Sequence, residues 1–81
     1  MVLSLEDSMK ILHDALDVAS ELDRSQEHSE AALRLEIAVQ YVQDVQDDSP
    51  EIISLIEKCT AEAERQKRRQ IALDIYLGHR S

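Results

Sequence analysis

The chain has no phenylalanine and no tryptophan, and glycine, proline and cysteine occur once each, as Gly78, Pro50 and Cys59. A sheet protein needs turn residues every few positions and strands rich in aromatic and β-branched side chains. Neither is present. A single glycine excludes a glycine-rich phosphate loop. A single cysteine excludes an internal disulfide and fits a reducing compartment. No apolar run approaches the ~20 residues that span a bilayer, so direct membrane insertion is not expected. Acidic Glu6 and Asp7 come too early for a signal peptide, and a soluble, cytoplasmic location is expected.

What is abundant favours helix: Ala, Leu, Glu, Gln, Lys and Arg dominate. The 81 residues suffice for one domain. A core this small must use most of its apolar side chains. In the first part of the chain, Ser4 suits an N-cap, with Asp7 three residues on. Leu5, Met9, Leu12, Leu16 and Ala19 step by four and three, which is one helical stripe. Ile11, Ala15, Val18 and Leu22 make a second stripe beside it. A helix with two stripes touches two neighbours, as in a bundle.

After a polar joint from Asp23 to Glu27, Ala31, Leu35, Ala38, Val42 and Val45 repeat the spacing, and Ile37 and Val39 widen the apolar face. The pattern fades at Gln46–Asp48. Ser49, Pro50 and Glu51 then supply an N-cap, a first helical position and a dipole-matched acid. Ile52, Ile56, Cys59 and Ala63 form the third stripe. It weakens over Arg65–Gln70 and returns at Ile71, Leu73, Ile75 and Leu77, with Gly78 read as the stop. Helices are predicted over about 5–24, 28–46 and 50–76, with 71–81 a possible extension or tail of the single domain. Short joints force consecutive helices antiparallel. The expected fold is all-α, an antiparallel up-down-up three-helix bundle.

The formal net charge is −8, unevenly spread. Residues 1–64 hold 16 acids and 4 bases, a balance of −12; residues 65–81 hold 1 acid and 5 bases, a balance of +4. An acidic body repels nucleic acid and anionic lipid and attracts basic partners. The basic run Arg65–Arg69 complements the negative end of a helix dipole and lacks interleaved aromatics for base stacking. Nucleic acid is therefore not an expected ligand. His13, His28 and His79 have no partner at a recognised metal spacing. His13 and Asp17 read as a surface pair, and His28 as a packing residue where the second helix starts. Cys59 lies on an apolar stripe and reads as an inert buried thiol. No catalytic constellation, metal site or cofactor is expected. A groove between two helices of such a bundle can take an amphipathic peptide helix as a fourth member, and acidic rims favour a basic one.

Asp23, His28, Ala31, Ala32, Leu35, Ala38, Val39 and Tyr41 follow in order, without a gap, the pattern of one family. That pattern has an Asp ending the first helix, an aromatic five residues later, an Ala-Leu pair, and an Ala-Val-x-Tyr-like turn. Lys58-Cys59 and Glu64-Arg65 match its third helix. Over about residues 8–70 the chain resembles the MIT (microtubule interacting and trafficking) domain, as a divergent member. His28 and Leu35 stand at aromatic places, Gln66 at a small-residue place, Ala63 at a leucine place and Lys67 where an acid is common. The joint before the third helix is about one turn shorter than in the family's ATPase members. The resemblance implies a protein-transport adaptor of endosomal sorting that binds helical or extended basic tails of ESCRT-III-like subunits. It further implies recruitment to endosomal or midbody membranes. One ligand class lies between the second and third helices, another between the first and third. The second–third groove would be lined by Leu35, Val39, Val42, Ile56, Thr60 and Ala63, with Glu64 pairing a ligand cation and Lys67 at the rim. Self-association through Ile71, Ile75 and Leu77 is the alternative.

Overall fold

The computed structural model describes residues 4–45 and 49–80. Among them three helices, α1 (Leu5–Arg24), α2 (His28–Val45) and α3 (Pro50–Arg80), account for nearly every residue, and no strand occurs. Leu12 meets Cys59 and Asp23 meets Arg69, so α1 and α3 run the same way. Ser29 meets Gln70 and Glu36 meets Lys67, so α2 runs against them. The bundle is up-down-up, and each helix packs on both others.

Local chemistry sets the helix ends. The Ser4 hydroxyl accepts the Asp7 N–H at 3.1 Å, satisfying one of the free donors of the first turn. At the far end of α1, Gln26 takes a left-handed conformation, with φ 60°. The Glu27 N–H reaches the Leu22 carbonyl at 2.8 Å and the Gln26 N–H reaches that of Asp23 at 3.0 Å. This is a Schellman ending built without its usual glycine, and it reverses the chain within three residues. Ser49 caps α3 by accepting the Ile52 N–H at 3.3 Å, and Pro50 opens the helix.

The core line of α1 is Ser8, Leu12, Ala15 and Ala19. It runs between the two predicted stripes, leaving Met9, Ile11, Leu16 and Leu22 half-buried and Leu5 and Val18 exposed. On α2 the predicted Ala31, Leu35, Ala38 and Val42 are all buried, whereas Ile37 is turned to solvent. Ile52, Leu55, Cys59, Ala63 and Gln66 make the buried line of α3, and Ile56 is half-buried. The side chain of Val45 and the predicted fading of α2 over Gln46–Asp48 lie outside the described residues.

The third helix differs from its predicted end. It passes through Gly78 to Arg80. A Cβ at Gly78 would meet nothing within 4 Å, so no turn or close approach requires glycine there. Glycine's cost of about 1 kcal/mol in a helix is too small to stop one that nothing redirects. Residues 71–77 continue α3 as the expected extension. At 1.5 Å per residue, the 31 residues of α3 reach about 46 Å against about 30 Å for the 20 of α1. The last turns therefore overhang the two shorter helices, in a molecule 50 Å long and 18 by 17 Å across.

Candidate functional site

A furrow runs between α2 and α3, and small side chains make it. Cys59 and Ala63 leave α3 shallow where it faces α2, so Leu35 forms a floor and Val39 a wall. Glu36 and Gln40 stand on the α2 rim, and Thr60 and Glu64 on the α3 rim. The hollow encloses about 220 Å³. It brings together Leu35, Val39, Thr60, Ala63, Glu64 and Lys67 of the predicted groove. Val42 and Ile56 are not part of its lining. Val42 follows Leu35 by seven residues on the buried line of α2 and has no exposed surface, and Ile56 packs against the core.

Lys67 crosses the furrow. Its Nζ lies 3.1 Å from Glu36 Oε1 on the opposite rim and 3.9 Å from Glu64 Oε1 on its own. The hydrogen bond to Glu36, followed by that carboxylate's charge, holds the Lys67 ammonium above its ordinary pKa. Beyond this strut the furrow opens again into a cleft of about 550 Å³, lined by Ser29, Ala32, Leu33, Gln70 and Ile71. Glu36 and Lys67 border both hollows, so one ion pair divides a single continuous channel. Both partners are about half exposed, and such pairs are weak and salt-sensitive.

No family model, no curated protein and no solved structure matches the chain.

Cys59 contributes bulk to the furrow floor, not reactivity. Its thiol donates to the Leu12 carbonyl at 3.8 Å. Burial pushes its pKa up from 9.0 to about 11, against a smaller downward pull from Lys58. Thiolate is the reactive form, so at mildly alkaline pH the folded chain is expected to resist a maleimide that labels it rapidly in denaturant. Rapid labelling of the folded chain would show an open thiol.

His28 is buried, but it seals an end of the bundle rather than a pocket. Its Nδ1 lies 2.7 Å from Gln66 Oε1 and 3.2 Å from Asp23 Oδ1. Gln66 in turn donates from Nε2 to Glu62 at 2.8 Å. Both neighbours of Nδ1 are acceptors, so Nδ1 carries the hydrogen. Arg69 donates to Asp23 at 3.1 Å and Arg65 to Glu62 at 2.9 Å. His13 is exposed and makes no hydrogen bond to Asp17. Among the described residues, no group of three His, Cys, Asp or Glu side chains is placed to hold a metal ion, and no helix is long and apolar enough to cross a membrane.

A second concave surface lies on the other side of α2, between α1 and α2, walled by Ile11, Val18, Ile37 and Tyr41. The stripe Ile11, Ala15, Val18 and Leu22 is expected from its spacing to touch a neighbouring helix, yet Val18 is exposed. The missed signal was Ile37 and Tyr41, four residues apart on a line that the core of α2 does not use.

Proposed function

We propose that this is a non-catalytic protein-interaction domain of MIT type, whose α2–α3 furrow takes basic amphipathic tails of ESCRT-III-like subunits and so recruits a parent protein to membrane-remodelling machinery. The observation that carries this reading is the furrow itself: a floor of Leu35 and Ala63 under facing carboxylates, Glu36 and Glu64, that already hold one cation, Lys67. The apolar spine of a visiting helix would fill the floor. Its Lys or Arg would take the place of Lys67 between the two carboxylates. Affinity is expected to be modest, because a furrow this small buries less than a standard interface.

Titrating fluorescent basic C-terminal tail peptides of ESCRT-III subunits into the chain tests it. Binding should weaken severalfold in Glu64→Arg and strengthen in Lys67→Met at low salt, with both differences shrinking as salt is raised. Absence of binding at high micromolar protein and low salt would defeat the reading.

A second reading is self-association. Ile71, Ile75 and Leu77 are each more than half exposed on the overhang of α3, where a second copy could cover them. Sedimentation separates the two, because a monomer whose size is unchanged by Ile71→Ser with Ile75→Ser leaves no role for that surface.

A further inference from the structure

The trough between α1 and α2 is an apolar hollow that neither reading above uses. Its floor is Ala15 and Ala38, whose short side chains leave a shallow seam about 390 Å³ in volume. Its walls are Ile11 and Val18 on α1 and Ile37 and Tyr41 on α2. Val18, Ile37 and Tyr41 are 40%, 57% and 49% exposed. Large apolar side chains gathered on two adjacent helices mark an interaction surface more often than isolated ones do. Small residues at the bottom let another helix approach closely along the groove.

The rims say what kind of helix. On α1, Asp7, Asp14 and Glu21 recur every seven residues and form one line beside the trough. On α2, Glu30 and Asp44 lie seven residues either side of Ile37 and form the other. Arg34, the cation that lines the trough, is taken up by Glu30 at 3.0 Å. The rims stay net negative around an apolar bed, through Asp7, Asp14 and Glu21 against Lys10 on α1 and through Asp44 on α2. Anionic lipid and acidic peptides are repelled, and a helix with Lys or Arg on both flanks is attracted.

We infer that the α1–α2 trough is a second docking site, for an amphipathic helix with an apolar spine and basic flanks. The inference stands whether or not the α2–α3 furrow binds anything. The two surfaces use opposite sides of α2: Glu36, Val39 and Gln40 face the furrow, and Arg34, Ile37 and Tyr41 face the trough. Two helices can therefore be held at once, and tethered ligands would gain from effective concentration.

The test uses the full chain and two labelled synthetic helices sharing one leucine spine, one with Lys flanks and one with Glu flanks. Each is titrated by fluorescence anisotropy into the wild type, Ile37→Asp, Val18→Ser and Glu64→Arg. The Lys-flanked helix should bind and the Glu-flanked one should not. Ile37→Asp decides the matter, because it adds negative charge. Diffuse attraction to an acidic protein would be strengthened by it, whereas docking in the trough should weaken by roughly tenfold. Val18→Ser should weaken binding too, and Ile37→Asp should still weaken it when combined with Glu64→Arg, which removes the furrow's contribution. Equal binding of both peptides, no binding of either, or tighter binding to Ile37→Asp would overturn the inference. So would loss confined to Glu64→Arg, which would place the helix in the furrow. A chain that sediments as a dimer and becomes monomeric in Ile37→Asp would also overturn it, by making a second copy the occupant.

Discussion

Leu12→Ala is expected to lower the unfolding free energy by about 3–5 kcal/mol, the upper part of the range for buried leucines. The reason lies in how α1 is anchored. Its core line is Ser8, Leu12, Ala15 and Ala19, and Leu12 is the large side chain in that set, with no exposed surface. Its neighbours cannot collapse into the space it leaves, because Ala15 and Ala19 are already minimal and Cys59 is held by the Leu12 carbonyl. A domain of 81 residues has a total stability of roughly 4–12 kcal/mol, so the variant should lose a large part of it. The thermal midpoint should fall by about 15 °C or more. Urea unfolding followed by circular dichroism measures this directly. Leu5→Ala, on the same helix at 39% exposure, should change stability by less than about 1 kcal/mol. If the two variants cost the same, Leu12 is not the anchor of α1.

That anchoring pattern also explains which parts of the fold were legible in the sequence. Helix number, order and direction follow from apolar spacing and from caps that act within three residues, as Ser4 and Ser49 do. The buried line of α2 was readable because Ala31, Leu35, Ala38 and Val42 form a continuous four-three series. On α1 two stripes competed, and the true core runs between them, because a helix packed against two neighbours buries the wedge they share. Ser8 and Gln66 belong to the core without belonging to any hydrophobic pattern, so periodicity alone passes over them. For Gln66 the partner that justifies burial is 38 residues away in sequence.

The furrow was partly legible through the family resemblance, which implied Leu35, Val39, Thr60, Ala63 and Glu64 along one groove, and these residues do line it. The strut from Lys67 to Glu36 was not legible, since it depends on how far α2 and α3 are rotated against each other. The same rotation turns Ile37 and Tyr41 away from the core. The chain thus keeps an acidic surface on both sides of α2, with an ion pair of its own filling one side and apolar side chains bare on the other.

Gln66→Ala should cost roughly 2–3 kcal/mol, although a glutamine in a helix is usually replaceable. Gln66 has no exposed surface, and its two amide atoms join α2 to α3 through His28 and to the outer face of α3 through Glu62. Truncation leaves a void and deprives the His28 Nδ1–H of its shorter bond, so that only Asp23 at 3.2 Å remains. Gln66→Met keeps the volume and removes the bonds, and should fall between wild type and Ala. Combining His28→Leu with Gln66→Met removes donor and acceptor together, and should cost less than the two single changes summed, because no buried partner is then orphaned. Acid titration supplies an independent readout. Burial alone would raise the Glu62 pKa, but hydrogen bonds from Arg65 and Gln66, together with the Arg65 charge, outweigh it and hold the carboxyl below its ordinary value of 4.5. A pKa lower in the folded than in the unfolded chain contributes stability above pH 4.5, and that contribution is lost as pH falls through the folded value. Gln66→Met removes one of those donors, so its stability should decline less steeply with acid than that of the wild type. Additive single and double variants, with an unchanged acid slope, would mean that Gln66 only fills space.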